Sequence, residues 1–214
     1  MDFEKDFSRI QDYFKSKLET HGATAQGADW NSRNAQETRF EQLIKVIDPF
    51  VVFSILDFGC GYGALADYLL TKGYQFENFY GYDVLESMVQ EAYRLHPDRD
   101  KFLFSTHFDE FPPVDYGIAS GVFNIRLDFS YQEWTEYVLK CLNQMDQLTA
   151  KGFSANFLTK YSDPDRMDSK LYYADPCFLF DYCKIHFSKN VALLHDYKLY
   201  DFTILVRKYP EQGK

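Results

Sequence analysis

Ile55-Leu56-Asp57-Phe58-Gly59-Cys60-Gly61-Tyr62-Gly63 is an apolar run that ends in an acid and then in glycines at alternate positions. The pattern marks a strand turning sharply into a helix. A Cβ at those glycines would obstruct both the bend and the close approach of a ligand to the backbone. The helix N-terminus behind them offers free N–H groups and a partial positive charge. Asp83 falls where the next strand ends, a position from which a carboxylate accepts both hydroxyl hydrogens of a ribose in dinucleotide-binding folds.

Outward from this loop, strands and helices alternate. Short apolar runs at Val51 to Asp57, Phe79 to Asp83, Lys101 to Thr106, Tyr116 to Ser120 and Gly152 to Leu158 predict five strands. Helical stretches follow from Ala64 to Thr71, through Tyr93, from a Ser130/Glu133 capping box to Leu148, and from Pro176 to Phe187. Val191 to Leu194 and Phe202 to Val206 predict a closing hairpin. This order implies an α/β fold with a mostly parallel sheet covered on both faces. Residues 1–50 form a helical elaboration, and 51–214 a single compact unit. Phe3, Phe7, Ile10, Phe14 and Leu18 make one apolar face of an opening helix. A second helix carries Phe40, Leu43, Ile44 and Ile47, with Asn34 and Glu37 at capping-box spacing. Between them lies the glycine-containing loop His21 to Asn31, which is either a lid or a plain connection.

Composition excludes several classes. Lys and Arg number 23 against 32 Asp and Glu, a net charge of -9, with no basic run of the kind that neutralises nucleic-acid phosphates. Cys60, Cys141, Cys177 and Cys183 show no zinc spacing and read as reduced thiols of a cytoplasmic protein. No apolar run approaches the ~20 residues of a membrane span, and the charged N-terminus lacks a signal-peptide core. The ligand is a separate question, because Gly59, Gly61 and Ala64 also satisfy the dinucleotide fingerprint. Three features point away from an NAD(P)-dependent oxidoreductase. The sheet starts only after a long helical extension, and the closing hairpin leaves no separate substrate domain. Asp57, two residues before the first glycine, offers a pyrophosphate nothing, whereas a ligand with an ammonium group would gain from it.

On these residues the sequence resembles the class I, Rossmann-like S-adenosylmethionine-dependent methyltransferases over Val51 to Lys208. Leu56 to Gly63 matches the family's first motif, and Tyr80 to Met88 its second. The resemblance implies a seven-stranded sheet of order 3-2-1-4-5-7-6 with strand 7 antiparallel. It implies a cofactor loop at Gly59, Cys60, Gly61 and Gly63, Asp57 organising the methionine end, Asp83 on the ribose and Val84 on the adenine. After strand 3, His107 stands where many members carry an acid facing the adenine amino group, and Phe108 follows it. His107 has two readings, an adenine-side contact or an ordinary loop histidine. Ser120 to Asn124 ends strand 4 beneath the expected methyl-transfer site. That stretch is neither the Asn/Asp-Pro-Pro-Tyr tetrapeptide of amino-directed nucleic-acid enzymes nor an acid-terminated metal site, so no metal is expected.

The implied activity is methyl transfer to an oxygen or nitrogen of a small molecule, by a monomer or homodimer. The competing reading is a non-catalytic module that binds cofactor or partner without turnover. Ser120 is a further expected cofactor contact, and Trp30 is the loop residue expected to touch cofactor or substrate. Arg39 either reaches the cofactor carboxylate from the second helix or is a solvated surface residue. Asn124, Tyr161 and His21 are the candidates for a catalytic role, since the first two follow strands 4 and 5 and the third opens the loop. His195 and Asp196 invite a general-base reading, but their strand should be the sheet edge.

Overall fold

Strand β1 (Phe53–Phe58) is buried at nearly every position because both its faces are covered, as in a central parallel strand. It pairs in parallel with β2 (Phe76–Tyr82) on one side and β4 (Val114–Ala119) on the other. β3 (Phe102–Ser105) continues the sheet beyond β2, and β5 (Thr149–Thr159) continues it beyond β4. The computed structural model describes residues 7–209. Phe3, the first residue of the apolar stripe, lies outside them.

The order along the sheet is β3-β2-β1-β4-β5-β8-β7, with β7 (Asn190–Leu194) and β8 (Asp201–Arg207) antiparallel to each other and β8 antiparallel to β5. An eighth strand, β6 (Tyr173–Ala174), pairs with the end of β5 outside this path. The order expected for seven strands is therefore present once β6 is set apart. Two residues are too few to carry a period, so β6 has no sequence signal.

Period-two alternation sends successive strand residues to opposite faces. Ile55, Phe79, Ile118 and Leu205 join one core, with Phe40 and Leu43 of α2 (Arg33–Leu43) and residues of α3 (Ala64–Thr71) and α4 (Glu86–Leu95). Phe58, Ala119, Phe153, Phe157 and Ile204 join the other, under α5 (Tyr131–Leu148) and α6 (Pro176–His186), with Ile10 of α1 (Ser8–His21). The Ser130/Glu133 capping box is present at α5, worth about 1 kcal/mol to that helix. The cap of α2 is a correction. Ser32, in extended backbone, accepts the Ala35 N–H, and Glu37 pairs with Arg33 one turn away rather than with Asn34. Among the described residues no helix is long and apolar enough to cross a membrane.

Candidate functional site

β1 ends at Phe58, and the chain turns at once. Gly59 (φ +80°) and Gly61 (φ +52°) both take left-handed backbone. A Cβ on Gly59 would stand 2.4 Å from Cγ2 of Val122, so the loop lies hard against the end of β4. The N–H groups of Gly59 and Cys60 both donate to the Tyr82 carbonyl (2.7 and 2.9 Å), tying the loop to β2. Gly63 then opens α3. The next residue after β2 is Asp83. Its Oδ2 accepts the Gly61 N–H at 2.8 Å and its Oδ1 the Leu85 N–H at 2.9 Å. One carboxylate thus holds the glycine loop and the start of α4 together, with lone pairs left on both oxygens.

Asp57 is 3% exposed. Among the described residues no hydrogen bond reaches its carboxylate. Burial, and then the charge of Asp83, push its pKa well above the usual carboxylate range. Burial likewise pushes Asp83 up to about 6, against the pull of the Leu85 and Gly61 N–H groups. Both acids line a cavity that measures about 950 Å³ with its open mouth included. The Ser120 hydroxyl is buried there without a partner among the described residues. Cys60 also lines it, its thiol held protonated by burial and by the neighbouring Asp83 and Asp57 charges.

The roof comes from the N-terminal helices. Phe7, Ile10 and Phe14 project into the cavity from α1 and its start, and Gln11 donates to the Val84 carbonyl at 3.0 Å. The loop after α1 returns over the end of β4. Its Asp29 (φ +62°) takes the Tyr13 hydroxyl at 2.8 Å and Lys17 Nζ at 2.7 Å, both from α1. The next residue, Trp30, lies on Gly121, so closely that a Cβ there would stand 2.2 Å from the indole.

No protein-family model matches the chain. A Mycobacterium tuberculosis protein, "Putative methyltransferase Rv1506c", is 46% identical over 169 residues, which is 78% of this chain and 98% of that protein. The chain belongs to the class I S-adenosylmethionine-dependent methyltransferases. Solved structures share the fold. The N-methyltransferase NodS from Bradyrhizobium japonicum, in complex with S-adenosylhomocysteine, aligns with a TM-score of 0.64 at 11% identity, over 92% of this chain and 97% of that one. DhpI, also in complex with S-adenosylhomocysteine, aligns at 0.62 and 14% identity, over 94% and 96%. The dinucleotide reading of Gly59, Gly61 and Ala64 gives way to this family.

The wall of this methyltransferase's cavity fits the family's cofactor. The Asp57 carboxylate, to which no described residue donates a hydrogen bond, suits an ammonium group, and Asp83 has acceptor capacity for hydroxyls. The open surface of Gly61 leaves room beside them, its nearest neighbour Met88 Sδ standing 4.0 Å from where a Cβ would be. Of the residues expected at the site, Asp57, Gly59, Cys60, Gly61, Asp83, Val84, Ser120 and Trp30 line the cavity. Gly63 stands behind the loop, against His96.

Other expectations are corrected. Arg39 does not face the cavity. Its guanidinium forks onto Asp201 at the start of β8 (2.9 and 2.6 Å), buried rather than solvated. His107 is exposed, and its backbone N–H is spent on the Ser105 hydroxyl at 3.0 Å. Half-buried Phe108 packs on Phe58 and Tyr82 at the margin of the core, outside the cavity lining. The three catalytic candidates also fall outside that lining. Asn124 uses its Oδ1 on the Leu158 N–H and its carbonyl on the Tyr172 N–H, pinning the loop after β4. Tyr161 is 62% exposed, and His21 is exposed at the end of α1. His195 is exposed on the hairpin, beside Tyr161.

The lining includes residues the sequence reading passed over. Tyr137 of α5 lines it, its hydroxyl pKa raised well above the ordinary value by burial and then by Cys141. Gln36 of α2 lines it against the Tyr62 hydroxyl. Tyr137 had a helical-period signal within α5, but nothing local says which face of a helix meets a ligand.

Proposed function

We propose that this methyltransferase transfers the methyl group of S-adenosylmethionine to an oxygen or nitrogen of a small-molecule acceptor in the cavity between the glycine loop and α1. The observation that carries the reading is Asp83, which ties Gly61 to Leu85 and still faces the cavity with acceptor capacity. In this reading Asp83 takes the ribose hydroxyls, Val84 packs on the adenine, and Asp57 and Ser120 receive the amino-acid end. The described part of the N-terminal elaboration, residues 7–50, closes the cavity and walls the acceptor side with Phe7, Phe14 and Trp30.

Bound there, the cofactor supplies a strongly electrophilic sulfonium methyl. The work left to the chain is alignment and exclusion of water. The aromatic roof provides the exclusion, and the turn after β4 from Ser120 to Val122 provides the floor against which an acceptor is aligned. The chain's part would be to hold an acceptor lone pair in line with that methyl group and to leave the acceptor's proton a path to solvent. Tyr137, with its raised pKa, is a hydrogen-bond donor at neutral pH and not a base. Among the described lining residues the acidic side chains are Asp57 and Asp83, with no Lys, Arg or His. An uncharged or cationic acceptor suits such a wall, and a phosphate-rich polymer does not.

The test is incubation with methyl-labelled S-adenosylmethionine and a library of phenols, sugars and amines, read by mass spectrometry. Acceptor-dependent labelled product supports the reading. Cofactor binding with no transfer to any member would instead favour the non-catalytic module, which the lack of a basic catalytic side chain in the described lining makes the second reading.

A further inference from the structure

Trp30 and Gly121 meet over the end of β4, and both are held from behind by groups that do not line the cavity. The Gly121 N–H donates to Asn156 Oδ1 at 2.8 Å. Asn156 Nδ2 donates to Asp201 Oδ1 at 2.8 Å. Asp201 takes the Arg39 guanidinium on both oxygens, and that guanidinium lies over the Trp30 ring, 4.6 Å from its centroid. The Trp30 ring covers Gly121, and so the path closes on itself. Asn156 and Asp201 are both fully buried, and Arg39 is 8% exposed.

Each link has a physical reason to be specific. A buried carboxylate such as Asp201 needs its charge matched, and a planar guanidinium is the partner that satisfies both oxygens at once. The same planar face stacks on an indole, which an ammonium cannot do in that way. The amide of Asn156 both donates and accepts, so it joins a carboxylate on one side to a backbone N–H on the other. The third hydrogen bond of Arg39, to the Ala35 carbonyl at 2.9 Å, fixes the guanidinium to its own helix. Strands β5 and β8 and helix α2 therefore act together on one point of the cavity wall.

We propose that Arg39, Asp201 and Asn156 are positioning residues, which set Trp30 against Gly121 and thereby shape the wall at the methyl-transfer end of the cofactor site. The inference rests on the cofactor reading above. It assigns Arg39 a role through Trp30 rather than through a contact with the cofactor. It also explains why position 121 is glycine, since the indole occupies the space a side chain would need.

The test uses the full chain grown with 5-fluorotryptophan, whose two tryptophans, Trp30 and Trp134, give separate fluorine resonances. Arg39→Lys keeps the charge but loses the fork and the planar stack. It should move and broaden the Trp30 resonance, leave that of Trp134 in place, and weaken S-adenosylhomocysteine binding by about tenfold. Gly121→Ala, which displaces the indole from the opposite side, should disturb the same resonance, and combining the two should add little. A variant that melts at a lower temperature, yet keeps the Trp30 resonance and binds within about twofold of the unmodified chain, would overturn the proposal alone. An unmodified chain that fails to bind S-adenosylhomocysteine would overturn the cofactor reading and the proposal with it.

Discussion

Replacing Asp83 with alanine isolates the group on which the cofactor site depends. Its two oxygens accept backbone N–H groups from Gly61 and Leu85 at 2.8 and 2.9 Å, so the substitution frees the glycine loop as well as removing the ribose acceptor. Hydrogen bonds to a charged group are worth about 1.5–3 kcal/mol each, and two ribose hydroxyls lose theirs. With water replacing part of that, a net loss of about 2–4 kcal/mol is expected, or roughly 30- to 1,000-fold in affinity. Fold stability should change less. The two orphaned N–H groups cost about 1–3 kcal/mol each, partly screened because the site opens to solvent. Against this, a carboxylate whose pKa is raised to about 6 is no longer held ionised in the wall. Calorimetric titration with S-adenosylhomocysteine at neutral pH, with circular dichroism to show that the variant is folded, measures both effects. A folded variant that binds within about threefold of the unmodified chain would refute the assignment.

The same carboxylate predicts a pH dependence. Because the ribose hydroxyls bind the ionised form and Asp83 titrates near 6 in the free protein, affinity should fall as pH drops through about 6, with proton release on binding there, measurable by calorimetry in buffers of different ionisation heat. Asp57, also raised, acts in the same direction. Gly59→Ala forces a side chain into left-handed backbone and against Val122, which should cost about 2 kcal/mol and lower the melting temperature by roughly 4–8 °C. Deleting residues 1–31 removes Phe7, Ile10, Phe14 and Trp30 from the cavity. The truncated chain should keep strand signals by circular dichroism, bind S-adenosylhomocysteine more weakly and show no transfer, whereas unimpaired binding would make the segment a structural appendage.

Much of this was legible in the sequence because the decisive features are local. Asp57, the glycines and Asp83 lie within one strand–turn–helix–strand unit, so spacing alone brings them together. The Ser130/Glu133 box and the helix from Ala64 to Thr71 are read from adjacent residues in the same way. Arg39 was misread because its partner, Asp201, is 162 positions away and meets it only through the closing strand. A basic residue on an amphipathic helix gives no hint of a buried acid so far along the chain. Asn124 and Tyr161 follow the right strands, but the loop after β4 spends Asn124 on the Leu158 and Tyr172 N–H groups, and Tyr161 is exposed. The His107 assignment assumed that strand 3 ends facing the ligand. Instead the Ser105 hydroxyl caps the turn, and the imidazole points to solvent. That Trp30 lines the cavity was legible for a different reason, since a large aromatic in a small-residue loop has little to bury against except the adjoining site.

The central claim is that the cavity under α1 is built for S-adenosylmethionine. Competitive titration of the unmodified chain with S-adenosylhomocysteine and NAD⁺ tests it most directly. The account predicts saturable one-to-one binding of S-adenosylhomocysteine that NAD⁺ does not displace and that Asp83→Ala weakens. Tighter binding of NAD⁺, or S-adenosylhomocysteine binding indifferent to Asp83, would contradict it.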